Sequence, residues 1–544
     1  MRVQRVRLLH ELVYAMAQES PDAPALLHKQ QSLTFAQLAS EVQRFSESLC
    51  GLGLGANERV AIYLPKQFEV VIGVFGAAAA GGVAVPINPM LKAQQVSHIL
   101  RDCNVRVLIT SPSRAKQLLE ILPNCHDLKF LVLTGAADEL PQVTGLTALS
   151  WQVVMQAPGQ KPPGRIDSDM AAILYTSGST GLPKGVVLSH LNMVAAADSS
   201  SEFLRLSASD RLLAVLPLSF DYGLSQLTTA YYVGASVVLM DYLLPKEVVA
   251  AVVRYAVTGI SAVPPIWNQL SVLDWPDEAG KSLRYITTSG GAARRSTLDR
   301  LRSKLPNTLI FQMYGLTEAF RSAYLPPEEI DDRPGSVGKA LPNVELMIVR
   351  EDGSRCAPGE PGELVHRGSL VAMGYWNDPE RTAQRFRQAP GQLAGIPIPE
   401  LAVWSGDQMR MDADGYLYFE SRRDEMIKTS GYRVSPQEVE EIVFASGLVA
   451  EAVALGVAHP ELGQAIILLA HPAKEDIDVA ALLALCRKEM PTYMVPELIE
   501  LNRDLPRNPN GKIDRAQLSA QYKAHFSGDD RQATGLASNA TKGH

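Results

Sequence analysis

The sequence predicts an α/β protein with a large domain of layered, mostly parallel α/β subdomains and a small α+β domain. Short apolar runs rich in β-branched residues alternate with helix-length segments, at residues 59–64, 83–87, 105–110, 128–135 and 235–240. Strands this apolar are covered on both faces, which is typical of parallel sheets packed between helices. The length of 544 residues exceeds one ordinary domain of roughly 100–200 residues.

A domain boundary is predicted near residue 423, where a strand-like segment gives way to the charged stretch RRDEMIKTSGYR. A helix follows, because Ser435 suits the N-cap, Pro436 the first helical position and Glu438 the third, a capping box. Gly447 suits the C-terminal cap of that helix. The sequence therefore predicts a large domain over residues 1–423, a small domain over 424–526 and a disordered polar tail over 527–544.

The composition argues against several classes of protein. A formal charge of −7 gives no sign of nucleic-acid binding, which needs a clustered basic face. Five scattered cysteines without a CxxC pair argue against a disulfide framework or structural zinc, so a cytoplasmic setting is expected. His10 and Glu11 interrupt what would be the apolar core of a signal peptide. The uncharged residues 70–91 contain glycines and prolines, which favours a buried helix and strand over a membrane span.

The strongest chemical signal is the string YTSGSTGLPKG at residues 175–185, between the strand-like segments AAIL and VVL. It does not fit the Walker A spacing in any register. Its hydroxyls, its flexible glycines and its lysine are groups that bind phosphate, which favours a phosphate site over an ordinary flexible hairpin loop. The residues expected to contact phosphate are Thr176, Ser177, Gly178, Ser179, Thr180, Gly181 and Lys184.

This string resembles the signature of the adenylate-forming superfamily, which includes acyl-CoA synthetases, adenylation domains of peptide synthetases and luciferase-like enzymes. Further motifs follow in the superfamily's order, so the resemblance covers nearly the whole chain. It implies ATP and Mg²⁺ as cofactors, a β-barrel portion in the large domain and a mobile C-terminal domain. Stand-alone ligases that load amino acids, prolyl-type ones among them, look most similar, as do exosortase-associated acyl-CoA ligases.

The YGLTE element at residues 314–318 resembles the superfamily's YGxTE motif. The resemblance implies that Tyr314 stacks on adenine beside Gly315, that Thr317 touches the α-phosphate and that Glu318 holds Mg²⁺. A carboxylate near a triphosphate is a natural Mg²⁺ ligand. Taken alone, Glu318 would be read as a solvated surface residue, and the ordered set of motifs favours the catalytic role.

Two further segments resemble parts of the nucleotide and acyl pockets. Residues 289–292 resemble the lining of the adenine and acyl pockets and comprise Ser289, Gly290, Gly291 and Ala292. The segment Trp404-Ser405-Gly406-Asp407 is expected at a strand end. The resemblance implies that Asp407 binds the ribose hydroxyls. Arg422 falls where a second ribose-binding residue is expected. Either side chain can hydrogen-bond a vicinal diol.

Three residues near the C-terminus complete the implied machinery. Lys512, in PNGKID, matches the catalytic lysine and is the predicted catalytic residue together with Glu318 and Thr176. Attack of a carboxylate on the α-phosphate builds negative charge on oxygens, which a lysine stabilises. Asp424 matches the hinge about which the small domain rotates between half-reactions, although the family commonly has glycine where this chain has Ser421. Gly431 matches the thiol channel, where a side chain would obstruct a pantetheine arm.

The segment PLSFDYG, residues 217–223, bears on which acid is activated. It places Phe220 at the superfamily's usual aromatic position. Asp221 follows directly, and in amino-acid-activating members an aspartate there receives the α-ammonium. A carboxylate about 4 Å from an ammonium gains on the order of 4 kcal/mol before desolvation. The alternative interpretation is a turn residue beside Gly223.

Two residues just past the YGLTE element, Arg321 and Ser322, are also candidates for the acid pocket. Arg321 could hold a second carboxylate of the substrate, or it could pair with Glu318 or a surface acid. The predicted substrate-binding set is therefore Phe220, Asp221, Ser289 and Arg321.

Three functions stay open. The first is activation of a small amino acid such as proline and its transfer to a carrier-protein phosphopantetheine, on a separate carrier because no recognisable carrier domain follows Lys512. The second is an acyl- or aryl-CoA ligase that uses free coenzyme A. The third is a luciferase-like oxygenase or a degenerate binding protein, and the intact Lys184, Glu318, Asp407 and Lys512 argue against degeneracy.

Overall fold

The computed structural model describes residues 6–135, 141–176, 183–291, 293, 295–393, 395–422, 426–474, 477–502, 504–506 and 513–526. The described residues separate into two compact units, one ending at residue 422 and the other beginning at residue 426. The tail predicted to be disordered, residues 527–544, lies outside the described residues.

The first half of the large unit alternates helices and strands. In chain order these elements are α1 (Glu11–Glu19), β1 (Pro24–His28), β2 (Gln31–Thr34), α2 (Phe35–Gly51), β3 (Arg59–Tyr63), α3 (Phe68–Ala79), β4 (Val83–Pro86), α4 (Ala93–Asp102), β5 (Val105–Thr110), α5 (Pro112–Leu118), β6 (Phe130–Leu133), β7 (Thr147–Ser150), α6 (Trp151–Gln156), β8 (Met170–Thr176), β9 (Lys184–Ser189) and α7 (His190–Phe203).

The second half of the large unit is richer in strands. Its elements are β10 (Arg211–Ala214), α8 (Asp221–Val233), β11 (Ser236–Leu239), α9 (Pro245–Tyr255), β12 (Gly259–Ala262), α10 (Pro264–Ser271), α11 (Asp277–Ser282), β13 (Tyr285–Thr288), α12 (Arg295–Lys304), β14 (Leu309–Tyr314), β15 (Ala323–Leu325), β16 (Ser336–Ala340), β17 (Val344–Val349), β18 (Gly362–Gly368), β19 (Gly374–Tyr375), α13 (Pro379–Arg385), β20 (Phe386–Gln388), β21 (Leu401–Met411) and β22 (Leu417–Arg422). Short 3-10 helices cover Leu122–Asn124, Thr317–Ala319 and Pro327–Glu329.

Two sheets form the framework of the large unit. The described strands of one follow the order β7-β6-β5-β3-β4-β8-β9-β19, and its pairs are parallel from β7 to β8. The other runs β2-β1-β11-β10-β12-β13-β14 with parallel pairs from β1 onward. The five predicted strands are confirmed as β3, β4, β5, β6 and β11, and the predicted buried helix and strand of residues 70–91 as α3 and β4.

The second sheet continues as an antiparallel region, in the order β15-β16-β22-β21-β18-β17 with β20 beside β21. Among the described residues the strand pairings of this region run from β16 to β17, and none joins those two strands to each other. The β-barrel portion that the resemblance implies therefore stays a prediction.

Helix α2 packs on α3, the helix that lies against β3 and β4 of the first sheet. Four of the buried apolar side chains of α2 recur at helical spacing and share one face of the helix, and they are Leu38, Val42, Phe45 and Leu49. At Gly76 a Cβ would come within 2.6 Å of Phe45 Cδ1, so the two helices approach closely there. Burial of each such side chain contributes roughly 1.5–3 kcal/mol.

The small unit is an α+β fold. Its elements are β23 (Ile427–Thr429), β24 (Tyr432–Val434), α14 (Pro436–Ala445), β25 (Val449–His459), β26 (Gly463–Pro472), α15 (Val479–Glu489), a 3-10 helix (Thr492–Met494), β27 (Leu498–Leu501) and α16 (Arg515–Tyr522). The strands lie in the order β24-β23-β26-β25, with β27 also beside β26. The predicted helix is confirmed as α14: the Ser435 hydroxyl accepts from the Glu438 N–H, and Gly447 has a φ of +70°.

Within the described part of the chain, no helix is long and apolar enough to cross a membrane. All five cysteines lie in that part, and each is a free thiol.

Candidate active site

The hairpin of β8 and β9 frames the predicted phosphate loop. Thr176 pairs with Lys184 across the hairpin, which places both ends of the loop side by side. Residues Ser177, Gly178, Ser179, Thr180 and Gly181 lie outside the described residues. The Thr176 hydroxyl is buried and has no hydrogen-bond partner among the described residues, as suits a group that binds a ligand oxygen.

Lys184, Glu318 and Tyr375 form a buried cluster. Lys184 Nζ donates to the Tyr375 hydroxyl at 2.8 Å, and that hydroxyl donates to Glu318 Oε1 at 2.6 Å. Lys184 Nζ also lies 3.4 Å from Glu318 Oε1 and 4.1 Å from the centre of the Tyr375 ring. Glu318 is only 1% exposed, so these contacts offset the loss of water around its charge. The prediction that Glu318 is not a surface residue is confirmed.

Tyr375 was missed by the sequence analysis. It lies 57 residues beyond Glu318 and 191 beyond Lys184, and it joins them because β19 pairs with β9. The one local signal is the preceding Gly374, whose φ is +132° and whose Cβ would lie 2.7 Å from Thr382. A glycine of that kind marks a constrained backbone but does not identify the tyrosine beside it.

Tyr375→Phe is expected to lower ATP–pyrophosphate exchange about 10- to 100-fold, because a hydrogen bond to a charged group contributes about 1.5–3 kcal/mol. The variant keeps the ring and removes only the hydroxyl that holds Lys184 and Glu318 together. Exchange rates and thermal unfolding measure the two effects separately. Tyr63→Phe is the matched control, since it removes a buried hydroxyl that donates to a backbone carbonyl outside the cluster. Equal exchange rates for the two variants would contradict a role for this cluster.

The candidate ribose site is formed by β21 and β22. Asp407 is 1% exposed and accepts a short hydrogen bond from the Tyr314 hydroxyl. Its register partner across the sheet is Arg422, whose side chain lies outside the described residues. The expectation that Asp407 ends a strand is wrong, because β21 continues to Met411 through its pairing with β22. Gly406, with a φ of +69°, provides the local irregularity instead.

The candidate adenine segments lie at one edge of the second sheet. Ser289, Gly290 and Gly291 follow β13, and Gly315 follows β14, its parallel neighbour. The carboxyl ends of adjacent parallel strands are where α/β sheets bind ligands. A Cβ on Gly315 would lie 3.2 Å from the Cα of Arg321, so the backbone turns tightly there. Ala292 lies outside the described residues.

Asp221 is the first residue of α8, and Phe220 is its N-cap. The Thr317 hydroxyl donates to Asp221 Oδ1 at 3.3 Å, which brings the acid-pocket candidate against the YGLTE element. Burial raises the pKa of Asp221 to about 6, although Arg321 and the hydrogen bonds oppose the rise. Gly223 permits this arrangement, because a Cβ there would lie 1.9 Å from the Pro217 carbonyl oxygen.

Arg321 and Ser322 differ in their surroundings. The Arg321 guanidinium lies between α8 and β14, where it donates to the Ser225 hydroxyl. Ser322 is fully buried, and its hydroxyl lies 2.9 Å from His366 Nδ1. The interpretation that Arg321 pairs with Glu318 or a surface acid is wrong, since no carboxylate of the described residues lies within ion-pair distance of it.

The candidates of the small unit are only partly described. Lys512 and Asp424 lie outside the described residues. Gly431 and Ser430 form the two-residue turn between β23 and β24, with φ values of +82° and +51°. Positive φ at both positions is typical of a type I′ hairpin turn, so the turn by itself accounts for a glycine at residue 431.

Gly431→Leu is expected to block thioester formation while pyrophosphate exchange stays within about threefold of the parent enzyme. The reason is the bulk of leucine in the channel that the resemblance implies. Because residue 431 has a positive φ, leucine also strains the turn, and Gly431→Asn is the control, since asparagine tolerates this conformation. Single-turnover thioester assays separate the two steps. A parallel fall of exchange and thioester formation in the leucine variant would contradict the channel assignment.

The fold and this site define a class of two-unit α/β protein. It has a hydroxyl- and glycine-rich loop, a buried Lys–Tyr–Glu cluster and a buried Asp hydrogen-bonded to the tyrosine of the YGLTE element. Residues 13–376 match the AMP-binding enzyme family, and residues 438–512 match the AMP-binding enzyme C-terminal domain. The chain belongs to the AMP-binding enzyme family. It is an AMP-forming acid–thiol ligase that activates a carboxylic acid as an acyl-adenylate.

The chain is similar to a fatty-acid–CoA ligase and to a peptide synthetase. The chain is 27% identical to the long-chain-fatty-acid–CoA ligase of Salmonella typhimurium, over 94% of each chain. It is 29% identical to tyrocidine synthase 3 of Brevibacillus parabrevis, over 94% of this chain and 8% of that one.

Solved structures share the fold over nearly the whole chain. The o-succinylbenzoate CoA synthetase of Bacillus subtilis superposes with a TM-score of 0.80 at 28% identity, covering 93% of this chain and 97% of that one. The amide bond synthetase of Marinactinospora thermotolerans gives a TM-score of 0.81 at 25% identity, covering 95% and 99%.

Proposed function

We propose that the protein activates a small amino acid to its aminoacyl-adenylate and transfers the aminoacyl group to the phosphopantetheine thiol of a separate carrier protein. Proline is the candidate that the sequence resemblance suggests. The observation that carries the proposal is Asp221, a carboxylate at the start of α8 in contact with Thr317 of the YGLTE element. We also propose a cytoplasmic setting, which the five free thiols support.

The surroundings of Asp221 favour a cationic ligand. Asp221 is half-buried, and the Thr317 hydroxyl lies against its carboxylate. Its ionised form is disfavoured there, and the described residues place no cation in ion-pair contact with it. An ammonium bound at this carboxylate would restore the ionised form, because an opposite charge within about 4–6 Å lowers a carboxyl pKa.

The described residues fit ATP and Mg²⁺. Glu318 offers a hard carboxylate oxygen, and the part of the chain that is described contains no cluster of three metal-binding side chains. This suits Mg²⁺, which keeps several waters and takes one or two carboxylates plus phosphate oxygens. Mg²⁺, when bound, neutralises phosphate charge and orients the triphosphate. The Thr176 hydroxyl, which has no hydrogen-bond partner among the described residues, and the ammonium of Lys184 suit phosphate oxygens.

In the first half-reaction a carboxylate oxygen of the substrate attacks the α-phosphorus, the bond to the β-phosphate oxygen breaks and pyrophosphate leaves. Tyr314 and Asp407 hold the adenosine, Thr317 touches the α-phosphate, and Lys512 stabilises the charge that develops on the phosphate oxygens. In the second half-reaction the thiolate attacks the acyl carbon, and AMP leaves with the electron pair of the broken C–O bond. The thiol proton goes to solvent.

An acyl- or aryl-CoA ligase that uses free coenzyme A is the second candidate. It is favoured by the similarity to the Salmonella fatty-acid ligase and the Bacillus o-succinylbenzoate CoA synthetase. The similarity to the tyrocidine synthase favours the carrier-protein reaction instead.

A substrate panel in ATP–pyrophosphate exchange tests the proposal. We expect exchange with an L-amino acid and at least about 100-fold less with its des-amino analogue, because that analogue leaves Asp221 unpaired. Thioester formation is then followed with coenzyme A and with a phosphopantetheinylated carrier protein as parallel acceptors. Preference for a fatty or aromatic acid without an amino group would overturn the proposal in favour of the coenzyme A ligase.

A further inference from the structure

A buried arginine lies beside the candidate acid pocket. Arg321 is 8% exposed, and its guanidinium contacts only neutral groups among the described residues. One nitrogen donates to the Ser225 hydroxyl, another lies 3.2 Å from Met313 Sδ, and the carbon between them lies 5.2 Å from the centre of the Tyr222 ring. The remaining nitrogen, Nε, is buried without a hydrogen-bond partner in this part of the structure.

This environment is unfavourable for a charged side chain on its own. A guanidinium has five N–H donors, and burial of a charge is costly unless a counter-ion and hydrogen bonds compensate. Burial lowers the pKa of Arg321 from its ordinary value, while the nearby Tyr222 and Asp221 oppose the change. Arginines are almost never fully buried unless they are paired. No carboxylate of the described residues lies within 4.0 Å of Arg321, whose hydrogen bonds there go to Ser225 and Met313.

The backbone directs Arg321 into this position. Phe320, the residue before it, has a φ of +56° and a ψ of −47°, and the Arg321 N–H donates to the Ala319 carbonyl at 2.5 Å. This is a classic-type γ-turn, a rare and strained conformation for a residue other than glycine. Strained residues of this kind concentrate at ligand-binding positions, since the surrounding structure must hold them there.

The side chains of Arg321 and Asp221 both lie near the first two turns of α8. Ser225 and Tyr222, which contact Arg321, lie within the first two turns of α8, the helix that Asp221 begins. The two opposite charges interact through space but form no ion pair within 4.0 Å. A ligand that carries both a positive and a negative group would therefore satisfy both side chains, whereas a ligand with one charge would leave the other uncompensated.

We propose that the substrate is a dicarboxylic amino acid, whose α-ammonium binds Asp221 and whose second carboxylate binds Arg321. This rests on the proposed function and narrows its substrate class. Arg321 is a specificity-determining residue, and the α-carboxylate remains the group that is activated. Proline lacks the second carboxylate, so it would leave the guanidinium buried and unpaired.

The test compares nearly isosteric substrate pairs in ATP–pyrophosphate exchange with the full-length enzyme. The pairs are L-aspartate with L-asparagine and L-glutamate with L-glutamine, and L-proline, succinate and glutarate complete the panel. We expect the parent enzyme to prefer one dicarboxylic amino acid to its amide at least about 100-fold, because a site built for a polar group rejects an analogue that lacks it.

Arg321→Met should abolish that preference and bring acid and amide within about threefold of each other. Arg321→Lys keeps the charge and should retain the preference for the dicarboxylic amino acid over its amide. If Arg321→Met does not fold, Arg321→Gln takes its place in the test. A role in folding alone would lower exchange with every substrate by the same factor and leave the acid-to-amide ratio unchanged, which would overturn the proposal.

The two proposals fail in different ways. Preference of the parent enzyme for proline or another neutral amino acid would overturn the assignment of Arg321 and leave amino-acid activation standing. Preference for succinate, glutarate or a fatty acid over every amino acid would overturn both.

Discussion

Lys512→Ala is expected to reduce adenylate formation about 10²–10³-fold, the usual loss when a donor to a developing oxyanion is removed. Thioester formation from supplied aminoacyl-adenylate should continue near the parent rate. The reason is that the five-coordinate phosphorus, whose oxygens Lys512 is proposed to stabilise, forms only while the carboxylate attacks the α-phosphorus. ATP–pyrophosphate exchange measures the first step, and transfer from synthetic adenylate to a thiol measures the second.

Lys523→Ala is the matched control, because Lys523 is an exposed lysine in the same unit. It should leave both steps within about twofold of the parent enzyme. Circular dichroism establishes that each variant is folded. Equal loss of both half-reactions in a folded Lys512→Ala variant would contradict a role restricted to adenylate formation.

Asp221→Ala is expected to lower exchange with the amino-acid substrate about 10³-fold or more and to lose discrimination against the des-amino analogue. Asp221→Asn tests the charge alone, since its shape is nearly unchanged and its side-chain oxygen can still accept from Thr317. If Asp221 only shaped the start of α8, both variants would unfold at lower temperature and keep the parent's substrate ranking.

The stability of Asp221→Asn should change in the opposite direction from its activity. Because the pKa of Asp221 is raised to about 6 in the folded protein, its ionisation above pH 6 favours the unfolded chain by up to about 3 kcal/mol. The asparagine variant should therefore unfold at a higher temperature than the parent at pH 7–8. Near pH 4 the carboxyl is protonated in the folded protein, and the difference should shrink. Thermal unfolding across this pH range is the measurement.

The local patterns of the sequence were sufficient for most of the framework. Five predicted strands, the buried helix of residues 70–91 and the capped helix after Ser435 all occur in the structure. These features depend on side-chain periodicity and on caps within a few residues, so neighbouring residues suffice to specify them. The order of the motifs also pointed to Glu318 and Asp407; both are buried, and their binding roles stay predictions.

Contacts between distant residues were decided by the tertiary structure. Tyr375 joins Lys184 and Glu318 only through the pairing of β19 with β9, and Arg422 faces Asp407 only through the register of β21 and β22. Strand register depends on which faces are buried across the whole sheet, and a single-residue shift would turn every side chain to the other face.

For the charged residues near the candidate acid pocket, the sequence and the tertiary structure again determined different properties. The sequence by itself determined that Asp221 and Arg321 follow motifs of an adenylate-forming enzyme, and it left open whether each one binds the substrate or a neighbour. Only the fold decided that Asp221 begins a helix against Thr317 and that Arg321 is buried among neutral groups without a carboxylate of the described residues in contact. The reason is physical: burial and the distance between charges are set by the tertiary packing of α8, which lies against β10, β11 and β12, and no local pattern encodes that packing.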